Sequence, residues 1–300
     1  MSEGIENHLW PPGCAPVAVV MISLNEAHNM REVLQNLKGW AQEVFLLDSC
    51  SSDLTVDIAL QHGVSVIQRK FQGFGDQWNF ALNNFPITAP YTMKLDPDER
   101  LSLELKAEIL RITEKRNEIA AYTIPIRLFF MGERLPSVLN LTRLWKTGSV
   151  RFSDVKANEH ALTDGPIGFL RQEIEHHDSP CLDHWMIKQN RYTTTEAISQ
   201  FQEQKFSVEP SLFNGKLARR MWLKRNFWNI PGRFFFLFLY HYLIIGAWRV
   251  GKVGWVWSHL RTEVYRIWEY KLFEIKKTKR LPIQIPSHSG GPDPRVRFYE

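Results

Sequence analysis

Cysteine is scarce in this sequence. Of 300 residues only Cys14, Cys50 and Cys181 are cysteine, widely spaced and with no C-x-x-C pair. An odd, sparse set gives no disulfide framework and points to a reducing compartment. Residues 1–16 lack the basic start and apolar stretch of a signal peptide and read as a loose leader around Pro11, Pro12, Gly13 and Pro16. No internal repeat is visible. No apolar run reaches the roughly 20 residues that a membrane span needs. A complete dinucleotide fingerprint is also missing. Gly73-x-Gly75 is the nearest approach, but Trp78 stands at the third glycine position and the loop follows the third expected strand, not the first. That argues against a dinucleotide-dependent oxidoreductase.

Acidic residues thin out toward the C-terminus. Between Lys216 and Arg280 there are 15 Lys/Arg against 3 Asp/Glu, a net of +12; the whole chain is at +5, so the remainder stands at −7. Six of the eleven tryptophans lie beyond Met221. A basic, aromatic-rich third on an acidic body suggests a part that meets an anionic surface.

The apolar content, 44%, is ample for a core. Val17–Leu24 is a continuous apolar run, as expected of a parallel strand buried on both faces. A helix is predicted over 26–38, a strand over 44–47, a helix over 54–62 capped by Ser52 or Asp53, and a strand over 64–68. A glycine-bearing loop at 71–75 precedes a helix over 76–84 and a strand over 91–95. Alternating strands and helices imply a doubly wound α/β sheet, whose ligands sit beyond the carboxyl ends of the strands. Polar clusters fall at three such ends: Ser23/Asn25/Glu26, Asp48/Ser49/Ser51 and Asp96/Asp98. Farther on, a helix is expected at 102–116 and strands at 121–130, 139–145, 151–159 and 167–175, with a turn near 131–133. A helix over 180–203 follows, opened by Ser179-Pro180, and 281–300 reads as a loose tail. The expected division is a leader to 16, a catalytic domain over 17–205, a basic helical region over 206–280, and the tail.

The stretch Tyr91–Arg100 organises the rest. In an extended segment residues i and i+2 point the same way, so the carboxylates of Asp96 and Asp98 would converge just past the strand end. Pro97 between them discourages helix and stiffens the turn. Two hard oxygen ligands suit Mg²⁺ or Mn²⁺.

Between Arg233 and Arg249 lie fifteen positions, all apolar except His241, and seven of them are Phe, Tyr or Trp. The length favours an interfacial or re-entrant helix over a spanning one. Nearby Trp228, Trp248, Trp255, Trp257 and Trp268 with Lys and Arg suit a lipid headgroup layer. The run is too apolar and unbroken for a base-stacking groove, so no nucleic-acid partner is expected.

Taken together these motifs resemble the inverting family 2 glycosyltransferases with the GT-A fold, in particular the lipopolysaccharide-core glucosyltransferase-like branch of bacterial envelope enzymes. The matching residues are Ile22–Glu26, Asp48–Thr55, Gly73–Asn79, Leu95–Arg100, Arg143-Leu144, Glu159, His176 and Asn190-Arg191-Tyr192. The likeness covers residues 17–200 well, and 215–275 only as a basic, aromatic, helical extension. It departs at Pro97, where the family has a small residue; at Trp78, where it has Lys; and at Ala157-Asn158, where it has Val-His.

The resemblance implies a nucleotide-diphospho-sugar donor, a UDP-sugar first, and a divalent ion held by Asp98 with Asp96 that offsets charge on the leaving diphosphate. Ser23, Asn25, Glu26, Asp48, Ser49 and Ser51 would hold the nucleoside, with Asp48 reaching the base, and Gln77 and Asn79 would line the donor side. Asp96 would also touch the donor, and Arg143 a phosphate. Glu159 is the expected general base, with Asp154 and Asp164 as nearby rivals. Arg100, His176 and Arg191 are candidate acceptor or phosphate contacts. The acceptor would be a lipid-linked glycan, met at the cytoplasmic face of a bacterial inner membrane through the basic extension. A retaining transferase of related fold, and a membrane-associated scaffold that binds nucleotide-sugar without turnover, are the competing readings.

Overall fold

In a computed structural model of the chain, the described residues are 9–114, 118–153, 160–202, 211, 213, 219, 222 and 226–282. They fall in two compact units, one drawn from Met1–Phe129 and Val138–Pro180, the other from Phe130–Ser137 and Cys181–Ser287.

The first unit is built on β1 (Ala15–Ser23), whose side chains from Val17 to Met21 are fully buried. Period-2 alternation divides them between two cores. Val17, Val19 and Met21 meet Met30, Val33, Leu34 and Leu37 of α1 (Ala27–Leu37), Ala59 of α2 (Thr55–Gln61), and Leu105 and Ile109 of α4 (Leu103–Thr113). Ala18 and Val20 meet Trp78 and Ala81 of α3 (Phe74–Asn84), with Phe85, Trp145 and Phe152. The sheet is therefore covered on both faces, which is why β1 reads as an unbroken apolar run. The helices present i, i+3, i+4 faces, and Ser102 caps α4 by accepting the Leu105 N–H at 3.1 Å.

Nine strands form the main sheet among the described residues. β3 (Ser65–Gln68), β2 (Ala41–Asp48), β1 and β4 (Tyr91–Lys94) run parallel, with Ser23 beside Asp48 and Val20 beside Lys94. β7 (Glu133–Lys146) lies antiparallel to β4, pairing Met93 with Leu144. Next come β6 (Ala121–Phe130), β11 (Ile174–His177) and β5 (Glu99–Leu101); β11 is parallel to β6 and antiparallel to β5. β10 (Ile167–Phe169) also pairs with β6, and β8 (Arg151–Phe152) pairs with β9 (Ala161–Leu162) apart from the main sheet. The β6–β7 connection turns on Met131 (φ 50°) and Gly132 (φ 79°), both left-handed, as the twist of a tight hairpin demands. Of the strand expected over 151–159, only Arg151–Phe152 is seen as strand, and 154–159 lie outside the described residues.

The second unit centres on two long helices, α5 (Leu182–Phe201) and a C-terminal one, Gly251–Thr278. Ala197 of α5 packs with Trp268, Leu272 and Ile275. Lys271 Nζ donates to the Asn190 carbonyl and side-chain oxygens and to the Thr193 and Thr194 hydroxyls. With that tie, α5 falls in the second compact unit, which takes up the chain again at Cys181. Between the long helices lie α6 (Arg233–Leu239), a π turn (Tyr240–Ile244) and a 3₁₀ turn (Ala247–Val250); the C-terminal helix is α7. The last turn crosses α7 so closely that a Cβ on Gly254 would stand 1.8 Å from the Ala247 carbonyl oxygen.

Candidate functional site

The carboxyl ends of β1, β2 and β4 share one edge of the sheet. After β1, Asn25 takes a left-handed conformation (φ 55°), which its short polar side chain tolerates. Its Oδ1 accepts the Ser52 N–H at 2.6 Å and the Asp53 N–H at 3.3 Å, and its own N–H donates to Ser51 Oγ at 2.7 Å. Asn25 thus shapes the loop after β2. The Glu26 N–H donates to Thr55 Oγ1 at 2.8 Å, and its carboxylate accepts from Asn29 at 2.8 Å. The Asp53 carboxylate accepts the first N–H of both α1 (Ala27, 3.1 Å) and α2 (Thr55, 2.9 Å), a favourable place for negative charge.

Asp48 is expected to reach a base, and here the geometry differs. It is fully buried. Its carboxylate accepts from Ser23 Oγ (2.9 Å), the Ser51 N–H (2.8 Å), Ser51 Oγ and Gln68 Nε2 (3.0 Å). Four donors fill a carboxylate's capacity, so Asp48 holds the loop together and has no acceptor left for a ligand. Ser49 Oγ accepts from Gln77 Nε2 at 3.2 Å, and Gln77 Oε1 accepts from Arg69 at 2.8 Å. Asn79 makes a two-way bond with the Phe152 backbone, at 2.8 and 2.9 Å. Trp78 is buried with Lys94 Nζ 4.5 Å from its ring centroid. The cation at this corner comes from β4.

Asp96 and Asp98 engage different partners. The Glu99 N–H donates to the Asp96 carbonyl at 2.9 Å, closing a β-turn with Pro97 at its second position. A turn sends i and i+2 to different partners. Asp96 Oδ2 accepts from Arg143 Nη2 at 2.9 Å, while Asp98 Oδ2 lies 3.2 Å from His176 Nε2. The same Arg143 nitrogen donates to Glu99 Oε1 at 2.7 Å, and Glu99 Oε2 accepts the Asp96 N–H at 2.9 Å. This clamp is buried: the Arg143 and Glu99 side chains are 5% and 2% exposed, against 35% for Asp96. Burial pushes the Glu99 carboxyl up to about 7 despite Arg143. Burial also acts to raise Asp96, but the charges of Arg143 and Lys94 outweigh it and hold Asp96 below the usual carboxylate range.

Antiparallel pairing of β11 with β5 sets His176 opposite Glu99, and the His177 N–H donates to the Asp98 carbonyl at 2.8 Å. Asp98, His176 and Asp178 then offer three ligand atoms within 4.8 Å of one another. This set could hold a cation, and it shares Asp98 with the Asp96/Asp98 pair that the spacing suggested. His176 itself is pushed up to about 9: burial opposes its charge, but Asp98, by charge and hydrogen bond, prevails with help from Glu99 and Asp178.

Arg100 is spent on structure. It is buried and donates to the Pro97, Glu99 and Asn29 carbonyls at 2.6, 2.8 and 3.2 Å, and pairs with Glu32. Arg191 belongs to the second unit, on α5. Asp164 is exposed in a bend after β9, and Glu159 and Asp154 lie outside the described residues. Asp178, Glu99, Lys94 and Gln68 were not singled out from the sequence. For Asp178 a signal existed, since His176-x-Asp178 at a strand end obeys the i, i+2 rule.

A family model described as Glycosyl transferase family 2 matches residues 18–175. A lipopolysaccharide core biosynthesis glycosyltransferase of Rhizobium meliloti is 25% identical over 202 residues, covering 63% of this chain and 73% of that one. An uncharacterised glycosyltransferase of Rickettsia prowazekii is 26% identical over 220 residues, 68% of this chain and 73% of its own. Among solved structures, a mannosyltransferase of Pyrobaculum calidifontis in complex with GDP-Man and Mn²⁺ superposes with a TM-score of 0.51. At 14% identity over 89% of this chain and 90% of that one, this likeness establishes the fold, GT-A.

Proposed function

The chain belongs to glycosyl transferase family 2, and we propose that it moves a hexose from a UDP-sugar, with inversion, onto a lipid-linked or lipopolysaccharide glycan in bacterial envelope synthesis. The observation that carries the reading is the Asp98–His176–Asp178 set at the carboxyl edge of the sheet. Two carboxylates and an imidazole fit Mn²⁺ better than Mg²⁺, which prefers oxygen throughout. A cation held there would offset charge on the departing diphosphate.

The chain's own residues do the rest. Arg143 and Lys94 bring positive charge to Asp96 at the same edge. The loops after β1 and β2 present the nucleoside side of the pocket, braced by Asp48 from within. Glu159 takes the proton of the acceptor hydroxyl on the face opposite the diphosphate. The relative that acts in lipopolysaccharide core synthesis supports the acceptor class. The basic, aromatic second unit supports work at the cytoplasmic face of an inner membrane, against anionic lipid.

The test is turnover of UDP-, GDP- and dTDP-sugars with and without Mn²⁺, using a deacylated lipopolysaccharide core as acceptor and reading the product anomer by NMR. An inverted linkage from a UDP-hexose, lost on chelation, is the expected result. Retention of configuration, or full activity in chelator, overturns the mechanism.

Cation binding must displace the proton of His176, so affinity depends on pH. Calorimetric titration with Mn²⁺ should show affinity rising about tenfold per pH unit up to roughly 9, with one proton released. Without a cation the sign reverses. The raised pKa of His176 stabilises the fold below about 6.5, and that contribution is lost as pH climbs through about 9. Melting curves across this range check both signs.

A further inference from the structure

The second unit carries an apolar face that is neither core nor cleft, and its geometry says how the membrane would be met. We propose that α6 and the π turn after it enter one leaflet of an anionic bilayer and turn back without crossing it. This rests on the membrane reading above and specifies its mode.

The segment has two faces. The inner one packs on α7: Arg266 lies 4.9 Å over the Phe234 ring, Phe238 is 4.4 Å from His259, and His241 is 5.1 Å from Trp257. The outer one carries Phe235 (62% exposed), Phe236 (58%), Tyr240 (48%), Leu243 (52%) and Ile244 (76%). Those positions recur at i, i+4 and i+7/i+8, which is a single helical stripe. His241, the one Asp, Glu, His, Lys or Arg between Phe234 and Ile244, turns inward to Trp257, and burial together with nearby Arg261 brings it down to about 4. It is neutral at physiological pH, and the outer stripe is unbroken.

Length excludes a crossing by this arm. No single helix among the described residues is long and apolar enough to span; Arg233–Ile244 and Ala247–Thr278 are so only when taken together, across a 67° bend. At 1.5 Å per residue the arm is roughly 18 Å long, too short for a hydrocarbon core of roughly 30 Å, and entered at a tilt it stays within one leaflet. Gly246 permits the reversal with φ 88°. Charge then names the occupant. Arg233 opens the arm, and Arg249 and Lys252 stand just past the bend beside Trp248 (50% exposed) and Trp255 (48%). Cations and tryptophans bracketing an apolar stripe match a headgroup layer over acyl chains, and the positive sign selects anionic lipid.

The experiment uses the full chain with vesicles of phosphatidylethanolamine and phosphatidylglycerol. Cys14, Cys50 and Cys181 are replaced by Ser, and a nitroxide is placed at Ile244→Cys or Lys252→Cys. The label at 244 should be oxygen-accessible at a depth short of the midplane, and the one at 252 should lie among headgroups on the side of addition. In the unaltered protein, bromine on the upper acyl chain should quench tryptophan more than bromine at the chain end. The pair Phe236→Glu, Ile244→Glu should weaken vesicle binding by more than about tenfold while the melting temperature holds. Binding with position 244 in water overturns insertion and leaves surface docking standing. A label at 252 on the far side overturns the return path. No binding to these vesicles, or a dimer in solution that the double variant dissolves, overturns insertion and the membrane reading together.

Discussion

Asp98→Asn is expected to slow sugar transfer by about 10²–10³-fold, the loss typical of removing one fixed electrostatic contact to a reacting group. It should also lower the melting temperature near neutral pH without unfolding the protein, because charged His176 loses its main partner. The substitution keeps shape and withdraws charge. Asp98 is the member of the cation set that His176 faces at 3.2 Å, and it is the main support of the raised His176 pKa. Without it two ligands remain, and His176 falls back toward its ordinary value. The assay is initial rate over a Mn²⁺ series, with the melting curve as folding control. A lower Mn²⁺ affinity with partial rescue at high metal marks a ligand. A loss of rate at every metal concentration with unchanged affinity would move Asp98 out of the cation site.

Arg143→Met should cost about 3–5 kcal/mol of stability, because it leaves buried carboxylates without their shared partner. Arg143 Nη2 alone joins Asp96 and Glu99, and Glu99 is nearly sealed from water. Glu99 already sits near 7 with the guanidinium beside it and rises further without it. A neutral Glu99 is cheaper to bury than an ionised one, so the destabilisation should be smaller at pH 6 than at pH 8. Denaturant unfolding at the two pH values measures the difference. Equal losses at both would mean that Glu99 is not the group left stranded.

The parallel half of the sheet was legible because its signals are local. A strand buried on both faces is a continuous apolar run, and an amphipathic helix repeats at 3.6. The predicted bounds of β1 and α1 therefore lie within a residue or two of Ala15–Ser23 and Ala27–Leu37. The cation set was half legible. Asp98 and His176 were both named, but the i, i+2 rule was applied to a segment that Pro97 and the Glu99–Asp96 bond fold into a turn. The rule holds instead at His176 and Asp178, which only the β11–β5 pairing brings to Asp98. Such pairing has no local signature, since its partners are some 75 residues apart. Asp48 was misjudged for a related reason: a carboxylate at a strand end looks the same in sequence whether its lone pairs face a ligand or the chain's own donors. The place of α5 was hidden likewise, because Lys271 and Asn190 declare their partnership only when folded.

β7 runs against its neighbour β4, and that reversal matters beyond topology. Arg143 reaches the carboxyl edge from inside a strand, one residue past the Met93–Leu144 pair, whereas its partner Asp96 and the neighbouring Asp98 stand on the turn between β4 and β5. Turns tolerate insertion and exchange; a ladder position does not. If these loops choose the sugar, natural variants can recut them while the charged anchor behind them stays at a fixed depth. Selection on donor preference and selection on folding would then act on separate sets of residues.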